Sequence, residues 1–93
     1  MEQNEFYNAC LKTLFRGLME RDYDIVEINH CIKYVSAVVF YRRQWNNAQT
    51  PETTALAVWN RDEAITNLDE YMRYHCFTDE MKSAVLYLTT HKI

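Results

Sequence analysis

Ninety-three residues leave room for one hydrophobic core and no second domain. Nearly half are apolar and a quarter charged, with a formal net charge of −3, a globular balance that excludes a disordered chain and counts against a surface built to hold phosphates. Glycine and proline occur once each, at Gly17 and Pro51; a sheet protein would need more of both in its turns, so the expected fold is all-α, a compact bundle of four to five short-linked helices.

The first helix is expected over 3–20, where Leu11, Leu14, Phe15 and Leu18 recur at helical spacing and Phe6 with Cys10 widens the stripe. Gly17 interrupts it at a cost of about 1 kcal/mol against alanine, which points to close backbone packing there. Arg21 and Asp22 end the element. The second helix starts from a capping pattern, with Asp24 as cap, Glu27 three residues on, and Tyr23 placed to pack on Ile28. Its residues are β-branched, which would suit a strand. However, Ile25, Ile28, Ile32, Val35 and Val39 repeat in threes and fours without a breaker, and that period belongs to a helix.

The same helix carries a second stripe, Tyr34, Val38, Tyr41 and Trp45, displaced from the aliphatic seam by about a third of a turn at 3.6 residues per turn. A helix apolar on two arcs either sits centrally or faces a partner. After a link at 46–49, Thr50 caps a helix with Pro51 in its first turn. Leu56 and Trp59 share a face, whereas Ala64, Ile65, Leu68 and Met72 lie well over a quarter turn away at about 100° per residue. Asn60 and Glu63 repeat the capping pattern at that point, so two helices are expected, over 51–59 and 61–75, with a single bent helix as the alternative. The last helix follows Thr78, with Asp79 and Glu80 at its positive end. Met81, Ala84, Val85 and Leu88 form its stripe, and His91 and Lys92 stand near its negative end.

Three cysteines without close spacing, Cys10, Cys31 and Cys76, read as reduced thiols of a cytoplasmic protein rather than a disulfide framework. The opening MEQNEFYNAC lacks the pattern of a signal peptide, and the apolar run at 35–41 is too short to span a bilayer. His-Cys occurs at His30-Cys31 and His75-Cys76. Adjacent helical residues diverge by about 100°, and no zinc-type spacing is present, so neither a metal nor a cofactor is expected. Catalysis is not expected either: there is no nucleophile elbow, P-loop or dinucleotide fingerprint. A helix-turn-helix reading would put Asp79 and Glu80 at the head of the recognition helix, where they repel DNA.

These observations favour a non-catalytic protein-binding regulator or inhibitor, contacting a larger protein through Tyr34, Val38, Tyr41, Arg42, Arg43 and Trp45, because interface centres are enriched in tyrosine, tryptophan and arginine. A two-fold homodimer would also suit so aromatic a domain. In length, acidity and lack of catalytic parts the chain resembles the small accessory proteins of phages and plasmids. That likeness implies a transcriptional regulator or a defence complex as the target. The alternative is a nucleic-acid-binding regulator using Lys33, Tyr41, Arg42, Arg43 and Trp45, a mixture of charge and stacking rings.

Overall fold

The computed structural model describes residues 2–90 of the chain, with side chains from residue 5 onward. Within them run four helices and no strand: α1 (Glu2–Glu20), α2 (Ile25–Asn47), α3 (Pro51–Tyr74) and α4 (Asp79–Thr90). The all-α expectation holds, and the β-branched second segment is a helix. His91 and Lys92, expected near the negative end of the last helix, lie outside the described residues.

Side-chain oxygens start three of the helices. Asp24 Oδ1 accepts from the Glu27 amide at 3.0 Å, and Thr78 Oγ1 accepts from the Met81 amide at 3.2 Å. At α3 the box is reciprocal: Thr50 Oγ1 accepts from the Thr53 amide, and Thr53 Oγ1 from the Thr50 amide, each at 3.1 Å. Threonine here takes the place usually held by glutamate or glutamine. Each cap satisfies an otherwise orphaned donor and contributes about 1 kcal/mol.

α1 and α3 end alike, and their ends are joined. Asp22 (φ 59°) and Cys76 (φ 51°) adopt the left-handed conformation. The amides of Tyr23 and Asp22 return to the carbonyls of Leu18 and Met19, and those of Phe77 and Cys76 to Met72 and Arg73, the paired closure of a Schellman motif. Arg21, just past α1, donates from its guanidinium to the carbonyls of His75 and Cys76. It also lies over the Phe77 ring, 5.6 Å from the centroid. The Tyr23 hydroxyl and His75 Nδ1 share a hydrogen bond of 2.5 Å. Carbonyls left open at the end of α3 are thus satisfied by a cation from the end of α1, the sign that a helix C-terminus favours.

The expected division of 51–75 does not occur: α3 is one continuous helix. Its buried residues, Ala57, Ala64, Leu68 and Tyr71, fall on a single line, while Leu56 and Trp59 are 62 % and 71 % exposed. The apparent rotation of the apolar face came from counting these two outward residues as core. An asparagine inside a helix costs only about 0.7 kcal/mol. Breaking the helix at Asn60 would forfeit backbone bonds worth more than a cap restores, and would take Ala57 off the face of Ala64.

One core cluster draws on every helix, with Leu14 and Leu18 from α1, Cys31 and Val38 from α2, Leu68 and Tyr71 from α3, and Met81, Val85 and Leu88 from α4. The helices pack in the order α1–α4–α2–α3, with no extended contact between α1 and α2. The radius of gyration of 14.1 Å exceeds the about 12 Å of a closely packed chain of this length, as an open arrangement requires. Gly17 fits this packing: a Cβ there would stand 2.5 Å from the Met81 sulfur, so glycine lets α4 approach α1.

Candidate functional site

The contact surface expected on α2 is dispersed by the fold. Val38 is 1 % exposed, a core side chain and not a contact residue. Tyr34 packs on Tyr71 of α3, with ring centroids 4.8 Å apart. Trp45 is partly exposed, yet the Arg61 guanidinium of α3 covers its ring at 4.8 Å from the centroid. Tyr41 is half-buried against the core. Arg42 turns inward, and its Nε is shielded from solvent without a hydrogen bond to any described residue. Arg43 lies on the opposite side of α2 from Tyr34 and Tyr41, since nine residues at about 100° each bring it half a turn round.

Lys33, Tyr41, Arg42, Arg43 and Trp45 therefore circle the helix and share no single face. A strand of nucleic acid tracking one surface could not meet them together.

Tyr34 and Tyr41 instead border a groove between α2 and α3 of about 450 Å³. Its walls are mixed: Ala37 and Ala64 join the two tyrosines as its apolar part, and His30 and Lys33 stand opposite Asn60, Glu63 and Asn67. Such groups are well served by water, and nothing in their arrangement selects a ligand.

The surface left over by folding is the other one. Because α1 and α2 stand apart, a groove of about 500 Å³ opens between them, floored by Leu14 and Leu88 and walled by Tyr7, Leu11 and Phe15 of α1 and Ile32, Val35, Val39 and Phe40 of α2. Ile32 remains 39 % and Phe40 54 % exposed. Ile32, Val35 and Val39 of the aliphatic seam thus line an open trough, while the aromatic stripe, which the spacing left open between core and contact, faces α3, with Val38 enclosed and Tyr34 and Trp45 partly exposed. The spacing of the two ridges could not reveal this, because which ridge meets a neighbour depends on where α1 settles. The excess of apolar residues around α2 was the available signal.

Among the described residues, Arg43 is the one charged residue lining the groove; Lys12, Arg16 and Glu20 line a separate, shallower patch of α1 that shares Leu11 and Phe15 with it. Soluble domains seldom leave a contiguous apolar patch of this kind uncovered, and a polar rim around one marks an interaction site.

Burial argues against thiol chemistry at two of the three cysteines. It pushes the Cys31 thiol up to about 11 and raises that of Cys10, whereas a reactive cysteine needs the opposite shift. Among the described residues, no three histidine, cysteine or carboxylate side chains converge on a point that could hold a metal ion. No helix among them is long and apolar enough to cross a membrane. Comparison with protein-family models, with curated proteins and with solved structures yields no match.

Proposed function

We propose that this protein is a non-catalytic regulator or inhibitor that acts by clasping an amphipathic helix of a larger protein in the groove between α1 and α2. The single observation behind this is the trough itself: Leu11, Phe15, Ile32, Val39 and Phe40 of one chain converge on open space. An apolar trough between two helices is the shape that receives a third, with anchors at intervals of three and four residues. Arg43 in the α2 wall favours a partner helix with an acidic flank, whose approach would then be salt-dependent.

The test uses a synthetic amphipathic helix with a leucine and tryptophan spine and glutamates along its edges, titrated by calorimetry. It should bind the wild type, weaken as salt rises, and fail against Phe40→Glu or Ile32→Glu. Both substitutions replace exposed side chains, so circular dichroism should remain unchanged. A peptide that binds Phe40→Glu as well as it binds wild type would place the contact elsewhere.

A further inference from the structure

The four helices form two antiparallel pairs. α1 lies along α4, with Gly17 against Met81 near one end and the Phe6 and Tyr87 rings 4.5 Å apart near the other. α2 lies along α3, where Tyr34 meets Tyr71 and Trp45 meets Arg61. Between the pairs, the extended contact is that of α4 with α2. The chain passes from one pair to the other twice, at 21–24 and at 75–78. Each crossing holds one left-handed residue, Asp22 or Cys76. Both lie at the same end of the molecule and are bound to each other. Arg21 donates to the carbonyls of His75 and Cys76, and the Tyr23 hydroxyl shares a hydrogen bond with His75 Nδ1. None of these residues lines the groove between α1 and α2.

We infer that the α1–α4 pair turns as one body against the α2–α3 pair, and that the bonds of Arg21 and Tyr23 to the other crossing fix the angle at which the groove stands open. The inference rests on the groove reading given above and supplies that site with a hinge. The two walls of the groove belong to different pairs, so any turn between the pairs changes its width. α1 and α2 make no extended contact, and their walls offer no resistance to such a turn. What resists is the packing of α4 on α2 and the bonds between the crossings. Leu88 of α4 lies in the groove floor, which puts the pivot beneath the opening. Short links at the ends of elements are where hinges absorb a change of this kind.

Arg21, Tyr23 and His75 are therefore positioning residues. They touch no part of a helix seated in the groove, and they set how often the groove has the width to take one. A ligand that needs one member of an ensemble binds more weakly in proportion to that member's share. If one molecule in ten keeps the right width once Arg21 is lost, the synthetic helix binds about tenfold more weakly.

Spin-label distances test this. One pair of labels, on Asn8→Cys and Gln44→Cys, spans the groove; another, on Asn8→Cys and Lys82→Cys, stays within the α1–α4 pair. All three positions are exposed. The background is Cys76→Ser, because Cys76 is exposed while Cys10 and Cys31 are buried. Cys76 meets Arg21 through its carbonyl, which serine keeps. With Arg21 intact, the distances across the groove should fall in a narrow range. Arg21→Met should broaden them, and the synthetic acidic helix should narrow them again while binding this variant about tenfold more weakly. The Asn8–Lys82 distances should stay narrow throughout. Should Arg21→Met lose helicity, Tyr23→Phe takes its place, since it removes only the bond to His75. Distances across the groove that neither substitution broadens would overturn the hinge. Asn8–Lys82 distances that broaden equally would overturn it too, because α1 would then be moving alone. These distances are read on the free protein and score the hinge whether or not the synthetic helix binds. A helix that fails to bind wild type sinks the groove reading alone.

Discussion

Cys31 and Cys76 are chemically identical and placed in opposite settings. Cys31 has no solvent exposure, and burial pushes its thiol up to about 11 from an unfolded value of 9.0. Below pH 9 both states keep the proton and the group is silent. Between the two values the unfolded chain releases a proton that the folded chain holds, so stability falls as pH rises, by about 1.4 kcal/mol per pH unit. Burial raises the Tyr71 hydroxyl as well, which adds to the decline above the ordinary tyrosine range. Urea midpoints measured on either side of the Cys31 window should show the decline, and Cys31→Ala should flatten its lower part. An unchanged slope in that variant would show that Cys31 does not control it. Cys76 is exposed and left-handed at φ 51°. A side chain there costs about 1–2 kcal/mol, while the looser unfolded chain of a glycine variant costs less than about 1 kcal/mol. Cys76→Gly should therefore raise the midpoint, by about 1 kcal/mol at constant m-value. A lower midpoint would mean that the Cys76 side chain makes contacts worth more than the strain.

At the level of elements, Asn60 separates what the sequence states from what only packing decides. An asparagine three residues before a glutamate and near an apolar run satisfies every local rule for a new helix, yet it sits inside α3. If it capped a helix, Asn60→Ala would cost about 1 kcal/mol. In a continuous helix alanine should instead gain about 0.7 kcal/mol, offset only by what the asparagine does in the groove beside α2. Thermal unfolding of this one variant distinguishes the two. The helices themselves were legible because their signals are local: the caps at Asp24, Thr50 and Thr78, the proline after Thr50, and the stripe Met81, Ala84, Val85 and Leu88. Gly17 was legible as a packing glycine for the same reason. The candidate site was not, because α2 is apolar on more than one arc, and periodicity ranks residues by face without saying which face is met. Val38 and Trp45 share an arc, but one is enclosed and the other lies under Arg61. Leu56 and Trp59 look like core residues by type and stand in solvent.

For the whole molecule, the packing order makes α1 the most weakly tethered helix. It packs on α4, makes no extended contact with α2, and is fastened at its end by Arg21 to the His75 and Cys76 carbonyls. α2 and α3, by contrast, lie along each other. Regions with fewer buried contacts open in sub-global steps at less than the full unfolding free energy. Hydrogen exchange should accordingly find the α1 amides exchanging faster than those buried between α2 and α3. Replacing Arg21 with methionine removes charged hydrogen bonds worth about 1.5–3 kcal/mol each while keeping much of the stem, so it should speed exchange in α1 without matching changes in the middle of α2 and α3. A helix seated in the groove touches α1 and α2 at once and supplies the contact that they lack. Adding the synthetic acidic helix should therefore slow α1 exchange, more strongly in wild type than in Phe40→Glu. Equal protection of α1, α2 and α3 in the free protein would contradict the weak tether. Protection by the peptide that left α1 untouched would separate α1 from the site, even if the peptide bound.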